Sequence, residues 1–317
     1  MCKVSVIIPN YNGRQFLEEC LGALREQTFQ DFEVILVDNG SQDDSLKLLA
    51  RVYPEAKSLR LDRNYGFCRA VNEGIRASGA EYVILLNNDT RVHPDFIRYL
   101  TEAMDQHPNC FSCASHMYQM HDPSKTDDAG NFFSALGWAY ARGKDKPVQR
   151  YQKPARIFAA CAGAAIYRRA LVERLGMLDE AHFAYLEDVD LGYRARIEGY
   201  VNLFEPRAKV LHVGSGTTGA RHNAFKVQYS ARNNLYLIYK NMPIPQLILN
   251  APLLFLGTLI KMVFFTSKGF GKEYREGLSM GVVLAKSGKK YPFRWKNIGN
   301  YCRIQGELWV NIFRRFE

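Results

Sequence analysis

Three short apolar runs, at residues 4–8, 34–37 and 82–86, constrain the fold of this chain more than any other feature of its sequence. Runs that are apolar throughout are typical of strands buried on both faces of a parallel sheet. Between the first two runs, Phe16, Cys20 and Leu24 recur at helical spacing, and residues 44–52 and 68–77 also have helical patterns. Strands that alternate with helices predict a doubly wound α/β fold.

A polar cluster follows each apolar run. The clusters are PNYN at residues 9–12, DNG at 38–40 and NND at 87–89. Good turn-forming residues alone explain any one of these clusters. The carboxyl ends of strands in an open α/β sheet also line the ligand crevice, so three clusters in succession predict one shared site.

The positive charge of the chain is concentrated in its last third. The net charge is +10, and residues 213–317 carry 16 Lys and Arg against 4 Asp and Glu. In the same part, residues 244–266 are strongly apolar but are interrupted by Gln246, Asn250, Pro252 and Lys261. An apolar segment beside basic and aromatic residues predicts a helix lying in an anionic membrane interface. The alternative is a buried helix pair packed on the enzyme domain. No RNA-binding signature is present, so we expect no nucleic-acid partner.

Cysteine usage and the N-terminal sequence predict the compartment. Seven cysteines are spread widely along the chain, without the dense spacing of a disulfide scaffold. The chain also begins on a strand-like segment rather than on a charged and then apolar leader. We therefore expect a cytoplasmic protein that is peripheral on the inner face of the plasma membrane.

Local patterns in the remaining chain predict further elements. Residues 157–167 are small and apolar and predict one buried strand, and residues 188–198 predict a helix. Asp190 and Arg194 have the i, i+4 spacing of a helical ion pair. Ser41 and Asp44 predict a capping box at the start of a helix.

Four motifs in combination resemble those of one enzyme family. They are VSVIIPNYNG with ILVDNGS, RNYGFCRAVNEGI, LLNNDT, and FAYLEDVDLGYRARIEGY followed by VLHVGSGTTG. Over about residues 3–240 the chain resembles the family-2 inverting glycosyltransferases of the GT-A fold, and most of all bacterial rhamnosyltransferase-like members. The resemblance implies a Rossmann-like, mixed and mostly parallel sheet flanked by helices. It also implies a nucleotide-binding part at 1–90, an acceptor and catalytic part at 91–240, and a basic, apolar helical extension at 241–317.

The resemblance assigns the donor-binding and metal-binding residues. Asp38 takes the place of the aspartate that binds the nucleobase, where it can accept a hydrogen bond from the imide N–H of uracil or thymine. The family commonly has Asp-x-Asp where this chain has Asn87-Asn88-Asp89, which leaves Asp89 as the carboxylate for a Mg²⁺ or Mn²⁺ ion. The resemblance implies His212 as the second metal ligand and residues 214–217 as a phosphate-contacting loop. The nucleotide-binding set is Pro9, Tyr11, Asp38, Asn64, Gly66 and Asn88.

Asp188 matches the aspartate that acts as the family's general base. An acceptor hydroxyl is a poor nucleophile near neutral pH, so a positioned carboxylate must remove its proton during attack. Glu187 is expected to shape the pKa of Asp188 or to contact the acceptor. The implied reaction moves a sugar, with inversion, from a nucleotide diphosphate (best dTDP-rhamnose) to a hydroxyl of a glycan or lipid-linked acceptor in cell-surface polysaccharide synthesis. The alternative is a catalytically idle nucleotide-sugar-binding or scaffolding module at a membrane, and the oligomeric state stays open.

Overall fold

Ten strands form the central sheet of the computed structural model, which describes residues 2–214 and 222–316. Two further short strands pair with each other outside this sheet. The strands are β1 (Val4–Asn10), β2 (Phe32–Asp38), β3 (Lys57–Arg60), β4 (Tyr82–Leu86), β5 (Thr90–Val92), β6 (Cys110–Gln119), β7 (Asp122–Asp128), β8 (Asn131–Phe133), β9 (Ala139–Ala141), β10 (Ala155–Ile157), β11 (Ala164–Arg168) and β12 (Val201–His212).

The sheet is mixed, and the predicted α/β architecture is confirmed. The main path runs β10-β12-β6-β11-β4-β1-β2-β3, with β5 beside β12 and β7 beside β6. Pairing is parallel from β4 through β1 and β2 to β3, and again between β6 and β12. Strand β11 is antiparallel to both of its neighbours and joins the two parallel regions.

Helices cover both faces of the sheet. On β1, the neighbouring residues Ile7 and Ile8 belong to separate buried clusters, Ile8 with Leu24 and Ile7 with Val71. Successive side chains of a strand point to opposite faces, which explains why the consecutive residues Val6, Ile7 and Ile8 of this strand are all apolar. The helices are α1 (Arg14–Arg25), α2 (Ser45–Val52), α3 (Phe67–Ala77), α4 (Phe96–Gln106), α5 (Arg169–Arg174), α6 (Glu187–Ile197), α7 (Ala224–Asn241), α8 (Ile244–Ser267), α9 (Gly271–Ser287) and α10 (Ile298–Arg314).

Two local predictions are wrong. Residues 157–167 are not one strand, because β10 ends at residue 157 and β11 begins at residue 164. The intervening backbone turns away to make contacts with the candidate site. The capping box is also absent: the carboxylate of Asp43 accepts hydrogen bonds from the N–H and Oγ of Ser45, while Ser41 Oγ accepts from the N–H of Asn12.

The three C-terminal helices contact the rest of the chain to different extents. Helix α10 places Ile304 and Leu308 in a buried cluster with Phe158. Helix α8 is mostly exposed, and it is the one helix in the described ranges with the length and apolar composition to cross a membrane. The predicted domain boundary near residue 240 falls at the end of α7 and stays a prediction.

Candidate active site

A buried line of polar contacts joins the carboxyl ends of β2, β1 and β4. Asn10 Nδ2 donates to Asp38 Oδ1 at 3.2 Å, and Asn88 Nδ2 donates to Asn10 Oδ1 at 2.7 Å. Strand β1 lies between its two parallel partners, so the ends of all three strands are adjacent. The structure therefore brings the first and third polar clusters of the sequence together with the second. Asn10 connects them, although the motif comparison assigned it no role.

A cavity of about 370 Å³ adjoins Asp38. The N–H of Ser41 donates to Asp38 Oδ2 at 3.3 Å, and the N–H of Leu61 donates to the backbone oxygen of Asp38 at 2.8 Å. Two residues that line the cavity, Ser41 and Leu61, thus donate hydrogen bonds to Asp38, which is itself buried. Pro9 is partly buried on the same edge, and Tyr11 is 37% exposed. The lining residues are Gly40, Ser41, Gln42, Arg60, Leu61 and Asp62.

Asn64 and Gly66 lie in the loop that precedes α3. Asn39 Nδ2 donates to Asn64 Oδ1 at 2.9 Å and to the backbone oxygen of Gly66 at 3.1 Å. Gly66 has φ +87°, and a Cβ there would lie 2.6 Å from the backbone oxygen of Phe183. Only glycine fits this position. Asn72 of the same motif is buried and donates to the backbone oxygen of Leu178, which is a structural contact.

His212 lies between two aspartates. Its Nδ1 is 2.8 Å from Asp127 Oδ2, and its Nε2 is 3.3 Å from Asp89 Oδ1. Burial alone lowers the pKa of an imidazole, but the hydrogen bonds with Asp127 and Asp89 raise the pKa of His212 to about 9. The register of β5 on β12 pairs Thr90 with His212, which brings residues 89 and 212 together. The predicted phosphate loop continues from Gly214 into residues 215–217, which lie outside the described residues.

Asp188 stands at the N-terminus of α6 with its oxygens facing three N–H donors. Oδ1 accepts from the backbone N–H of Val189 at 2.7 Å, and Oδ2 accepts from the N–H of Ala162 at 3.2 Å and from Asn131 Nδ2 at 3.4 Å. Burial raises the pKa of Asp188 in spite of these donors. Glu187 is 7% exposed, and burial together with the charge of Asp188 raises its pKa.

The segment Asp127-Asp128 connects the two halves of the site. Asp127 is hydrogen-bonded to His212. Asp128 is buried, and the charges of Asp127 and Asp188 act on its carboxyl group. Burial first, and then those two charges, raise the pKa of Asp128 to about 7. Asn131, three residues on, donates to Asp188. Sequence analysis missed these residues, and their one local signal is a pair of acids just before Gly130.

Comparison with known proteins decides the family. The family model described as glycosyl transferase family 2 matches residues 5–176, which is more than half of the chain. The chain belongs to this family. It is 26% identical over 239 residues to the N-acetylglucosaminyl-diphospho-decaprenol L-rhamnosyltransferase of Mycobacterium tuberculosis, covering 68% of this chain and 77% of that protein. It is 39% identical over 110 residues to the undecaprenyl-phosphate 4-deoxy-4-formamido-L-arabinose transferase of Pseudomonas syringae, covering 32% and 33%.

Solved structures share the fold of this glycosyltransferase. GalNAc-T7 with UDP, GalNAc and Mn²⁺ is similar at a TM-score of 0.61 and 17% identity, over 75% of this chain and 48% of that one. The chain thus spans about half the length of that protein. A mannosyltransferase from Pyrobaculum calidifontis in complex with GDP-Man and Mn²⁺ is similar at a TM-score of 0.56 and 14% identity, over 96% and 80%. These likenesses confirm the predicted GT-A fold.

Proposed function

We propose that this glycosyltransferase moves a sugar, with inversion, from a nucleotide diphosphate to a hydroxyl of a lipid-linked glycan acceptor. The observation that carries the proposal is that one segment of the chain reaches both groups: Asp127 is hydrogen-bonded to His212, which pairs with Asp89, and Asn131 donates to Asp188. A cation-binding edge and a carboxylate base at one site are what the reaction requires. Their joint presence favours catalysis over an idle binding module.

The residues around His212 fit a divalent cation. With Nδ1 hydrogen-bonded to Asp127, Nε2 is the nitrogen left for a metal, and it faces Asp89. No cluster of three or more His, Cys, Asp or Glu side chains in the described ranges is arranged to hold a metal alone. Mg²⁺ and Mn²⁺ sites of this kind use one or two protein ligands and substrate phosphates. When bound, the cation supplies positive charge that offsets the charge developing on the leaving diphosphate.

Asp188 is proposed to receive the proton of the acceptor hydroxyl. As the hydroxyl oxygen forms its bond to the anomeric carbon, the bond from that carbon to the diphosphate oxygen breaks, and the hydroxyl proton passes to the carboxylate. Attack from the face opposite the leaving group inverts the anomeric centre. The N–H groups of Ala162 and Val189 hold Asp188 in place for this transfer.

The donor is proposed to be dTDP-rhamnose, with its base in the cavity beside Asp38. The name of the M. tuberculosis relative specifies an L-rhamnosyltransferase that acts on a diphospho-decaprenol acceptor, which supports both rhamnose and a lipid-linked acceptor. An enzyme that acts on a lipid-linked substrate must reach a membrane. The proposed acceptor therefore supports a cytoplasmic location and association with an anionic membrane surface. The exposed side chains of α8 support the same location.

A thermal-shift panel of nucleotide sugars, with and without Mn²⁺, tests the donor. A ligand that binds only the folded state raises the unfolding temperature in proportion to its occupancy, so dTDP-rhamnose with Mn²⁺ should give the largest shift. Asp38→Asn should reduce that shift, whereas Asp44→Asn, at an exposed aspartate nearby, should not. If no nucleotide sugar stabilises the protein in the presence of Mn²⁺, the proposed function is wrong.

A further inference from the structure

A strongly basic cavity of about 230 Å³ lies beside the candidate active site. No acidic side chain is among the described residues that line it. We call this space the basic cavity. Its cationic lining residues are Arg142, Lys144, Lys146, Arg150, Arg314 and Arg315.

The backbone around the basic cavity is held by hydrogen bonds to the segment that carries Asp127 and Asp128. The N–H of Arg142 donates to the oxygen of Gly130 at 2.8 Å, and the N–H of Thr126 donates to the oxygen of Lys146 at 2.8 Å. Two guanidinium groups also lie over aromatic rings, Arg142 over Tyr151 at 4.8 Å and Arg315 over Trp138 at 4.6 Å. Stacking on an aromatic ring fixes the position of each guanidinium group at the cavity.

One side of the basic cavity meets the active site. Lys144 forms an ion pair with Asp127, and Asp127 is hydrogen-bonded to His212. A single side chain therefore separates a cation of the basic cavity from the proposed metal ligand. An anion bound in the basic cavity would lie next to the reacting groups.

The other side of the basic cavity continues into an exposed apolar surface. Arg314 and Arg315 stand at the end of α10, where Phe313 and Phe316 are 72% and 79% exposed. Trp138, under Arg315, donates from Nε1 to the backbone oxygen of Gly257 in α8 at 3.0 Å. Helix α8 carries further exposed apolar side chains. A ligand with an anionic group and a hydrocarbon chain would match the basic cavity and the adjoining apolar surface.

We propose that the basic cavity binds the phosphate or diphosphate group of a polyprenyl-linked acceptor. The hydrocarbon then lies along the apolar surface of α8 and α10, and the sugar extends past Lys144 towards Asp188. Arginine is well suited to such a group, because its guanidinium binds two phosphate oxygens at once. The assignment rests on the proposed function for the identity of the sugar-bearing ligand. The binding of a lipid diphosphate can be measured whether or not the proposed function is correct.

The test measures binding of the full chain to vesicles, without donor and in chelator so that metal-dependent diphosphate binding is suppressed. The vesicles are neutral phosphatidylcholine, the same with a polyprenyl diphosphate, and the same with phosphatidylglycerol at equal charge. The charge-reversed variant is Lys146→Glu/Arg315→Glu. Its matched control is Lys286→Glu/Arg303→Glu, which changes the net charge equally at exposed positions outside the basic cavity.

Wild type should bind the polyprenyl diphosphate vesicles more tightly than the phosphatidylglycerol vesicles, and inorganic diphosphate should compete. Loss of a hydrogen bond to a charged group changes affinity on the order of tenfold, so the charge-reversed variant should lose at least about that much. The control should lose less than about twofold. Lys146→Gln/Arg315→Gln removes the two charges without reversing them and should lose less affinity for the polyprenyl diphosphate vesicles. This neutral variant serves as the test if the charge-reversed variant does not fold.

Three results would overturn this assignment. Equal losses in the charge-reversed variant and its control would mean general surface attraction. Equal binding of polyprenyl diphosphate and phosphatidylglycerol would mean an ordinary lipid headgroup. Binding of inorganic diphosphate alone would mean a soluble anion. If instead the nucleotide-sugar panel fails while the polyprenyl diphosphate binds as described, the proposed function fails and this binding site stands.

Discussion

Glu187 and Asp188 are adjacent carboxyl groups with unequal surroundings. Three N–H groups point at Asp188, whereas Glu187 Oε2 is buried and has no hydrogen-bond donor among the residues that the structure describes. Burial raises the pKa of both groups, and the charge of Asp188 adds to the effect on Glu187. When the pair carries a single negative charge, that charge therefore lies on Asp188 and the proton lies on Glu187. Asp188 is then the unprotonated carboxylate that can act as the base.

Substitution of Asp188 tests that assignment. Asp188→Asn should lower the rate of sugar transfer by about 10²–10⁴-fold, because a general base contributes on that order. Donor affinity should change less than about twofold, since the shape of the side chain is kept. Single-turnover transfer and calorimetric binding of the donor measure the two quantities. A loss of donor affinity as large as the loss of rate would assign Asp188 to the nucleotide or the metal instead.

Asp127 is expected to act on the metal through His212. Asp127→Asn should raise the Mn²⁺ concentration for half-saturation by about 10–100-fold, because the carboxylate orients the imidazole and increases its basicity. Electron paramagnetic resonance of free Mn²⁺ measures binding without turnover. Asp122→Asn, at a partly exposed aspartate of the same strand, is the matched control and should leave Mn²⁺ affinity unchanged. Unchanged affinity in Asp127→Asn would refute this role.

At the scale of residues, sequence motifs were enough to propose Asp38, Asp89, Asp188 and His212. Asp127 could not be proposed in the same way, because its partner His212 is 85 positions away and its neighbourhood has no periodic pattern. Its contact depends on the pairing of β6 with both β7 and β12, which a single sequence does not specify.

Helix α6 depends on its neighbour α7 for its placement. The loop before it has positive φ at the non-glycine residues Phe183, Tyr185 and Leu186, a conformation that costs on the order of 1–3 kcal/mol for each residue. Asn233 Nδ2 of α7 donates to the backbone oxygens of His182 and Tyr185, at 2.9 and 2.8 Å, and these bonds offset part of that strain. Support of this kind for a loop beside Asp188 is expected where a catalytic group must be held.

A buried ionic network also joins α7 to α6. Lys240 Nζ donates to Asp190 Oδ2 at 3.0 Å and to Asp179 Oδ2 at 2.6 Å, and Asp190 is fully buried beside Arg194. The cations of Arg194 and Lys240 outweigh the effect of burial and hold the pKa of Asp190 far below its ordinary value. The spacing of Asp190 and Arg194 predicted their pairing, but it did not indicate that the pair is buried or that a third partner joins it.

Removing the cation of Lys240 should destabilise the protein. Lys240→Met leaves Asp190 and Asp179 with less compensation and should lower the free energy of unfolding by about 3 kcal/mol, the low end for breaking a buried ion pair, because Arg194 remains. Lys47→Met is the matched control, since Lys47 pairs with Asp44 at the surface and is 85% exposed, and its effect on the free energy of unfolding should be far smaller. Chemical denaturation compares the two, and equal effects would contradict this account.

The first strands and helices were predictable from the sequence, because β1 and β4 contain short apolar runs and α1 has apolar residues at helical spacing. Residues 157–167 were not, although they are equally apolar. Their middle turns so that the oxygen of Gly163 accepts from the N–H of Asn87 and the N–H of Ala162 reaches Asp188. Contacts with distant residues decided the local structure there, and such contacts leave no periodic signal.

At the scale of the whole molecule, large exposed apolar side chains are concentrated on α8 in the described part of the chain, and α10 carries a smaller number. The sequence indicated an apolar segment with polar interruptions, and the structure shows which way two of these polar side chains face. Asn250 is buried and exchanges hydrogen bonds with Gln305 of α10, at 2.9 Å in both directions. Gln246 likewise faces α10, through the backbone oxygen of Tyr301. Gln246 and Asn250 thus face α10, and the outward face of α8 carries exposed apolar side chains.

Substitutions on that outward face test membrane association more cleanly than truncation. Removal of α10 would take Leu308 and Ile304 out of the buried cluster that contains Phe158. A truncated chain could therefore lose membrane binding because it fails to fold. Phe255 and Val263 are 73% and 62% exposed, and polar replacements there disturb no buried contact. Phe255→Leu/Val263→Ile, which keeps both positions apolar, is the matched control.

Phe255→Glu/Val263→Glu should weaken binding to anionic vesicles by at least tenfold while nucleotide binding is retained. Burying one large apolar side chain contributes about 1.5–3 kcal/mol, and each added carboxylate is also repelled by the anionic surface. Wild type and control should float with the vesicles at low salt and be released in part at high salt, because Lys and Arg near the surface contribute a screened attraction. Flotation at two salt concentrations, beside nucleotide binding, measures both properties. If the glutamate variant floats as wild type does, the outward face of α8 does not contact the membrane.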